Sequence, residues 1–227
     1  MQSLSSSAIA SRIAQIQSTV PDHVRLMAVT KTVSVEMMRV AYAAGIRDFG
    51  ENRVQEAIAK QAELADLTDI TWHLIGHLQR NKAAKALQHF DWIHSVDSLA
   101  IAQRLNDLAA QQGRSPQICL QVKLLPDPNK YGWHPTELLN DLPQLDTLAH
   151  LQIVGLMVIP PYGLSASEAL AVFHQARELA DQIRHSGLDR IQMQQLSMGM
   201  SGDYPLAIEA GATIIRLGQI LFGARPT

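Results

Sequence analysis

Short apolar runs alternate eight times with longer amphipathic stretches along this chain, and that alternation leaves few folds open to it. When strand and helix take turns, each helix carries the chain back to the edge where the next strand begins. The strands therefore pair in parallel, and a parallel sheet needs helices covering it. The apolar runs place strands at 25–30, 47–50, 71–75, 92–96, 117–124, 151–159, 191–197 and 213–217.

Capping residues mark the helices between them. Ser165 with Glu168 three residues later is a capping box, opening a helix through Phe173, Ala176, Leu179 and Ile183 that Gly187 closes. Pro135 and Pro205 stand where first helical turns begin. Asp97 or Ser98 caps a helix over 100–111, and Gly45 and Gly113 mark helix ends. Ser3, Ser5, Ser6 and Ser7 precede Ile9, Ile13 and Ile16, the pattern of a capped amphipathic helix more than of a signal peptide. No linker or composition shift divides the chain, so residues 1–227 read as one domain.

Eight such units in 227 residues come close to the roughly 250 typical of a (β/α)₈ barrel. The predicted fold is a single α/β TIM barrel, with the additional N-terminal helix closing its lower end. An open doubly wound sheet is the alternative, but no Gly-x-Gly-x-x-Gly turn follows the first strand, where a dinucleotide fold needs it.

A net charge of -2, with no long basic run, gives no electrostatic reason to expect nucleic acid. No apolar run is long enough to span a bilayer. Cys119, the single cysteine, sits in the apolar run 118–122 and reads as a buried strand residue, so no disulfide forms within the chain. The expected location is the cytoplasm.

Barrels place their chemistry at the C-terminal ends of the strands. The first strand ends in Lys31, the second in Glu51, Asn52 and Arg53, the third in His73 to Gly76, and the fourth in His94 to Asp97. Gly155, Leu156 and Met157 lie on the sixth, Ser197 to Ser201 close the seventh, and Arg216 to Gln219 close the eighth. A lysine there suits imine chemistry once its amine is made neutral by burial or by a nearby cation. Ser197 to Ser201 with Gly218 looks like a phosphate cup, opposite the lysine, because barrels often build an anion site from the last two loops. Asp203 replaces the final glycine that a nucleophile elbow requires. His73 and His77 straddle a strand end and a glycine, so they do not share a helix face as paired zinc ligands do. Asp91, Asp97 and Glu51 read as strand-end caps, and the other histidines are scattered.

At these strand ends the sequence resembles the YggS/PROSC family of pyridoxal phosphate homeostasis proteins. The resemblance rests on 28–32 (AVTKT), 49–56 (FGENRVQE), 72–82 (WHLIGHLQRNK), 93–98 (IHSVDS), 155–157 (GLM), 197–203 (SMGMSGD) and 216–223 (RLGQILFG), in order along nearly the whole chain. It implies a barrel of the alanine racemase N-terminal type that holds pyridoxal 5'-phosphate (PLP) as a Schiff base on Lys31. Asn52 would line the pocket beneath the ring, Met157 would flank it and Arg216 would face the pyridine nitrogen. Ser201, Gly218 and the backbone around Met200 and Gln219 would meet the phosphate, and His73 and Ser197 join the cofactor-binding set. The position after Gly218 is often Ser or Thr in this family. Here it is Gln219, which leaves the backbone N–H for the phosphate.

The resemblance implies a non-catalytic, monomeric protein that binds and releases PLP and keeps free aldehyde low, with PLP-dependent apo-enzymes as recipients. A guanidinium cannot accept the proton that activates the ring as an electron sink, which suits a carrier. An amino-acid racemase of the alanine racemase type remains open, since that barrel also pairs lysine with arginine. Such racemases add a β-domain that supplies a tyrosine base, which is not expected in a chain ending at Thr227. A cofactor-free Schiff-base aldolase is a third reading, though Lys31 lies on the wrong strand for its usual sites.

Overall fold

The structure, a computed structural model, describes residues 6–128 and 130–223. Eight parallel strands close into a barrel in sequence order: β1 Arg25–Val29, β2 Asp48–Glu51, β3 Thr71–Leu74, β4 Trp92–Val96, β5 Gln117–Val122, β6 Gln152–Val158, β7 Gln195–Ser197 and β8 Ile214–Leu217. Around them run α1 Ser6–Gln17, α2 Val35–Ala43, α3 Val54–Glu63, α4 Ala83–His89, α5 Leu99–Gln112, α6 Pro135–Leu145, α7 Ala166–Arg184, α8 Tyr204–Glu209 and α9 Gln219–Phe222. Closure of the sheet excludes the doubly wound alternative.

Every strand but β4 differs from its expected bounds by one or more residues, and hydrogen bonds account for the two largest differences, at β7 and β5. The stretch 191–194 lies along β6, with Gln192 and Gln194 N–H donating to Ile153 and Val154 carbonyls, but β7 itself begins only at Gln195. β5 stops at Val122 because Lys123 N–H turns to the Trp133 carbonyl, while Trp133 N–H returns to Gln121. β2 begins and ends one residue later than predicted, which brings Glu51 into the strand.

The Ser165–Glu168 capping box is present, α5 starts after Ser98, and Gly113 ends it in the left-handed region at φ 62°. α7 ends at Arg184, ahead of Gly187. The predicted cap residues Ser3 and Ser5 lie outside the described residues. The N-terminal helix takes a different place from the one expected. α1 packs on α2 and α9, and its end approaches the C-terminal turn of α2, where a Cβ on Gly45 would lie 3.6 Å from Gln17 Nε2. It buries Ile9, Ile13 and Ile16 in the outer ring beside the four-residue α9. α1 thus stands in for the long eighth helix instead of plugging the base.

Strand alternation sends successive side chains to opposite faces. Phe49, Leu74, Phe90 and Phe173 pack in the shell between barrel and helices. Met27, Trp92, Cys119, Met157 and Ile214 form a second apolar cluster inside the barrel. Gly155 is required where β6 meets β7, since a Cβ there would sit 1.8 Å from the Gln195 carbonyl oxygen. The remaining interior is polar: His73, His94, Ser197 and Arg216 are all buried within it.

Candidate functional site

Lys31 is half-buried immediately beyond β1, on a platform built from β2 and α3. Glu56 and Lys60 stand four residues apart on α3 and so share a face. Lys60 Nζ donates to the Thr30 carbonyl (2.7 Å), Glu51 Oε1 (2.8 Å) and Glu56 Oε1 (2.8 Å). Thr30 Oγ1 donates to the same Glu51 oxygen at 2.6 Å. On the other side of the lysine, Thr32 N–H donates to Glu56 Oε1 at 2.8 Å, with Thr32 held at φ 63°. A β-branched residue rarely adopts that region, so the surrounding bonds must impose it. Both neighbours of Lys31 are thereby pinned to one ion-pair cluster.

Glu51 is fully buried, and burial pushes its carboxyl above the usual range despite the bonds from Lys60 and Thr30. Its Oε2 has no partner among the described residues. The strand-end cap expected of Glu51 is therefore a buried ion-pair partner. Asp97 Oδ2 accepts from His77 Nδ1–H at 2.8 Å, and Asp91 Oδ2 accepts from Trp72 N–H.

The loop after β7 and the end of β8 meet at Ser201. The N–H groups of Gly218 and Ile220 converge on Ser201 Oγ at 3.4 and 3.3 Å. The N–H of Gln219, between them, opens α9. Gly218 leaves room beside β1, where a Cβ would stand 3.3 Å from the Val29 carbonyl oxygen. Both bonds are long, so the two N–H groups can turn to an anion that the Ser201 hydroxyl also meets, and the three make a donor set for it. The cup adjoins Lys31 instead of facing it, because β8 pairs directly with β1. The N–H of Met200, expected to join the cup, is taken by Asp203 Oδ1 at 2.6 Å.

Arg216 lies almost fully buried, with Nη1 donating to the Ser197 carbonyl and, at 2.9 Å, to Ser197 Oγ, and Nη2 donating to the Val158 carbonyl at 2.9 Å. Burial lowers its pKa to about 10, which still leaves it charged near neutral pH. Ser197 Oγ also meets His94 Nδ1 at 2.8 Å. His94 Nε2 meets His73 Nδ1 at 2.9 Å, and His73 Nε2 meets Asp48 Oδ1 at 2.8 Å. Burial holds both imidazoles below their ordinary range, His94 well below it, with His73 and Arg216 adding to the effect at His94.

Among the predicted residues, Ser201, Gly218 and Gln219 are brought together, with Lys31 on the adjoining strand end. Met157 is buried in the interior cluster near Met27 and Cys119. Asn52 is half-buried after β2, and the third strand's end passes so close that a Cβ on Gly76 would lie 2.2 Å from its carbonyl oxygen. His73 departs from its expected role as a pocket residue. Both its ring nitrogens are engaged inside the barrel, leaving none for a ligand at the mouth. His77 instead stacks on Tyr131 at 3.6 Å. That pair lines a cleft of about 410 Å³ over the loops after β3 to β5, which contains none of the predicted site residues.

Sequence reasoning missed Lys60, Glu56 and Asp48 as functional supports, and left His94 among scattered histidines. The signal for the first two was their spacing of four on α3, facing a strand that ends in glutamate. For His94 it was strand parity. His73 pairs with Trp92, and His94 lies two residues on, so both rings face inward.

The family model for the alanine racemase N-terminal domain matches residues 4–226. A pyridoxal phosphate homeostasis protein of Synechocystis is 53% identical over 93% of this chain and 96% of its own. The protein of the same name in Escherichia coli is 37% identical over 90% of this chain and 87% of its own. The solved structure of PipY of Synechococcus elongatus with PLP bound superposes with TM-score 0.91 at 57% identity, covering 95% of this chain and all of that one (100%). An alanine racemase of Clostridium difficile shares the fold at TM-score 0.77 and 15% identity, with 97% of this chain covering 58% of that one. Barrel, strand-end motifs and relatives agree: the chain belongs to the pyridoxal phosphate homeostasis (YggS/PROSC) family, within the alanine racemase N-terminal fold.

Proposed function

We propose that this protein binds PLP at the barrel mouth as a reversible Schiff base on Lys31 and acts as a carrier, not a catalyst. The residues present fit the group. An amine stands at a strand end, and a hydroxyl with N–H donors converges beside it where glycine leaves space. PLP supplies an aldehyde carbon for amines and, when its ring nitrogen is protonated, an electron sink.

One observation carries the carrier reading: Arg216 is buried, charged and already fixed by Ser197 and Val158. A guanidinium only donates, so toward a ring nitrogen it favours the unprotonated form and leaves the sink weak. Ser201 with the N–H groups of Gly218 and Gln219 binds the phosphate, and Met157 and Asn52 bound the ring. The PLP-bound PipY relative and the names of the homologues support binding and a homeostatic role. Recipients are PLP-dependent apo-enzymes, and the carrier works as a cytoplasmic monomer.

The test is spectroscopic. Purified or reconstituted protein should show a Schiff-base absorbance band that Lys31→Ala abolishes, and the loaded protein should restore activity to a PLP-dependent apo-enzyme. Protein that cannot be loaded overturns the binding reading. Racemisation of alanine or serine at ordinary enzyme rates overturns the carrier reading and supports the racemase.

A further inference from the structure

Half the barrel interior could have been filled as the other half is, with side chains such as Met27, Cys119 and Ile214. Instead a file of polar groups runs from Arg216 near the mouth to Asp48 at the base, where Arg25 Nη1 meets the same Asp48 oxygen at 3.3 Å. Buried polar groups cost free energy unless every one is paired, so an unbroken file needs a use.

The ends fix the direction of every bond between them. A guanidinium can only donate, and an ionised carboxylate can only accept. Arg216 Nη1 donates to one lone pair of Ser197 Oγ, and with neutral rings each donating toward Asp48, His94 Nδ1 is an acceptor that takes the Ser197 hydroxyl hydrogen. Neutral His94 then carries its hydrogen on Nε2 and gives it to His73 Nδ1. Neutral His73 likewise carries its hydrogen on Nε2 and gives it to Asp48. One tautomer of each ring satisfies the whole file, and the opposite choice sets a lone pair of His73 against the carboxylate.

We propose that His94 and His73 are positioning residues for Arg216: their one-way hydrogen-bond line from Asp48 keeps a Ser197 lone pair turned to the guanidinium, which is thereby presented to the PLP ring nitrogen as a fixed donor. The inference rests on the reading that PLP occupies the mouth with its ring nitrogen facing Arg216. Trp92 braces the line, stacking on His73 and on His94 at 5.6 Å each. Burial keeps both imidazoles neutral, as the line requires.

Two measurements test it. In the cofactor-free protein at neutral pH, ¹⁵N-resolved imidazole spectra should show His73 and His94 both neutral with the hydrogen on Nε2. Either ring in the other tautomer overturns the line whether or not PLP binds. In the loaded protein, His94→Leu should weaken PLP retention by about tenfold, the scale of one charge-assisted hydrogen bond, and move the absorbance band. His94→Gln, whose amide can accept from Ser197 and donate to His73, should restore both. Should His94→Leu fail to fold, Ser197→Ala cuts the line beside Arg216 and should move the band in the same direction. Wild type that takes up no PLP overturns the binding reading and this role with it. Wild type that binds, while the cut variants retain PLP and absorb as it does, overturns the positioning role alone.

Discussion

Lys60→Met tests whether the ion-pair cluster around Lys31 behaves as its geometry dictates. The ammonium makes three hydrogen bonds, at 2.7, 2.8 and 2.8 Å, and its side chain is only 10% exposed against 0% for Glu51. Methionine keeps most of the apolar stem, so the loss falls on the charge. Removing one partner of a buried pair costs about 3–5 kcal/mol, because the other charge stays buried without compensation. Glu51 keeps the Thr30 hydroxyl, which places the expected loss near the lower end, about 3 kcal/mol at pH 8. For a chain of this length that is a fall in Tm of roughly 6–12 °C.

The same substitution has a defined pH dependence. Burial already raises the Glu51 carboxyl, and without Lys60 it rises further. A carboxyl with a raised folded pKa holds its proton more tightly in the folded state, so its penalty is absent at low pH and grows as pH rises to the folded value. The deficit against wild type should therefore shrink as pH falls through the window between the two folded pKa values, by up to about 1.4 kcal/mol per unit. Urea unfolding of both proteins between pH 5 and pH 8 measures it. Lys60→Met/Glu51→Gln, which removes the stranded charge, should return to within about 1–2 kcal/mol of wild type. A deficit below about 1 kcal/mol at pH 8, or one unchanged by acid, would refute the buried-pair account. Because Thr30 and Thr32 flank Lys31, the single variant should also loosen PLP retention.

Three further outcomes follow from the interior. His73 and His94 have folded pKa values lowered first of all by burial, so the unfolded chain binds more protons below its own histidine pKa of about 6.5. Stability should fall as pH drops from there, by up to about 1.4 kcal/mol per unit for each ring, and His94→Gln should remove one proton's worth of that slope in denaturant titrations. Gly155→Ala drives a Cβ to 1.8 Å from the Gln195 carbonyl oxygen. Backbone cannot swing aside as a side chain can, so a loss on the order of 3 kcal/mol is expected by urea unfolding, and a loss under 1 would contradict that packing. Arg216→Glu puts an acceptor where only donors stood, and should shift the bound PLP spectrum toward the form with a protonated ring nitrogen. An unchanged spectrum and affinity would place residue 216 away from the ring.

The barrel was legible because its signals are local and repeated: apolar runs of strand length, capping boxes, and glycines after helices. Strand-end residues could then be read together, since the fold collects them. What sequence could not show is how deep each side chain sits. Its position near a strand end puts His73 with the cofactor-binding residues, yet its register opposite Gly50 and Trp92 keeps it in the interior. The spacing of Glu56 and Lys60 was a weak sign by itself, because a lysine four residues after a glutamate on a helix is ordinarily a solvated pair. Only tertiary contact reveals that Lys60 reaches back to the Thr30 carbonyl. The cup read from the last two loops is expected opposite Lys31, whereas closure makes β8 the neighbour of β1 and sets it alongside.

Closure also explains why β2 carries so much. Its four residues alternate between two jobs: Asp48 anchors the interior line, Phe49 fills the shell, Gly50 leaves room inside, and Glu51 holds Lys60 beneath the Lys31 loop. A Cβ on Gly50 would come within 2.6 Å of Met27 Sδ, so a side chain there would require Met27 to move aside. Slipping this strand by one residue would send Phe49 inward and turn Asp48 out of reach of His73, since strand faces exchange with every step. The lysine's platform and the arginine's line are thus tied to one register. A change that shifts it should disturb Lys31 and Arg216 together, while Lys60→Met and His94→Leu separate them, one acting at each end of the same short strand.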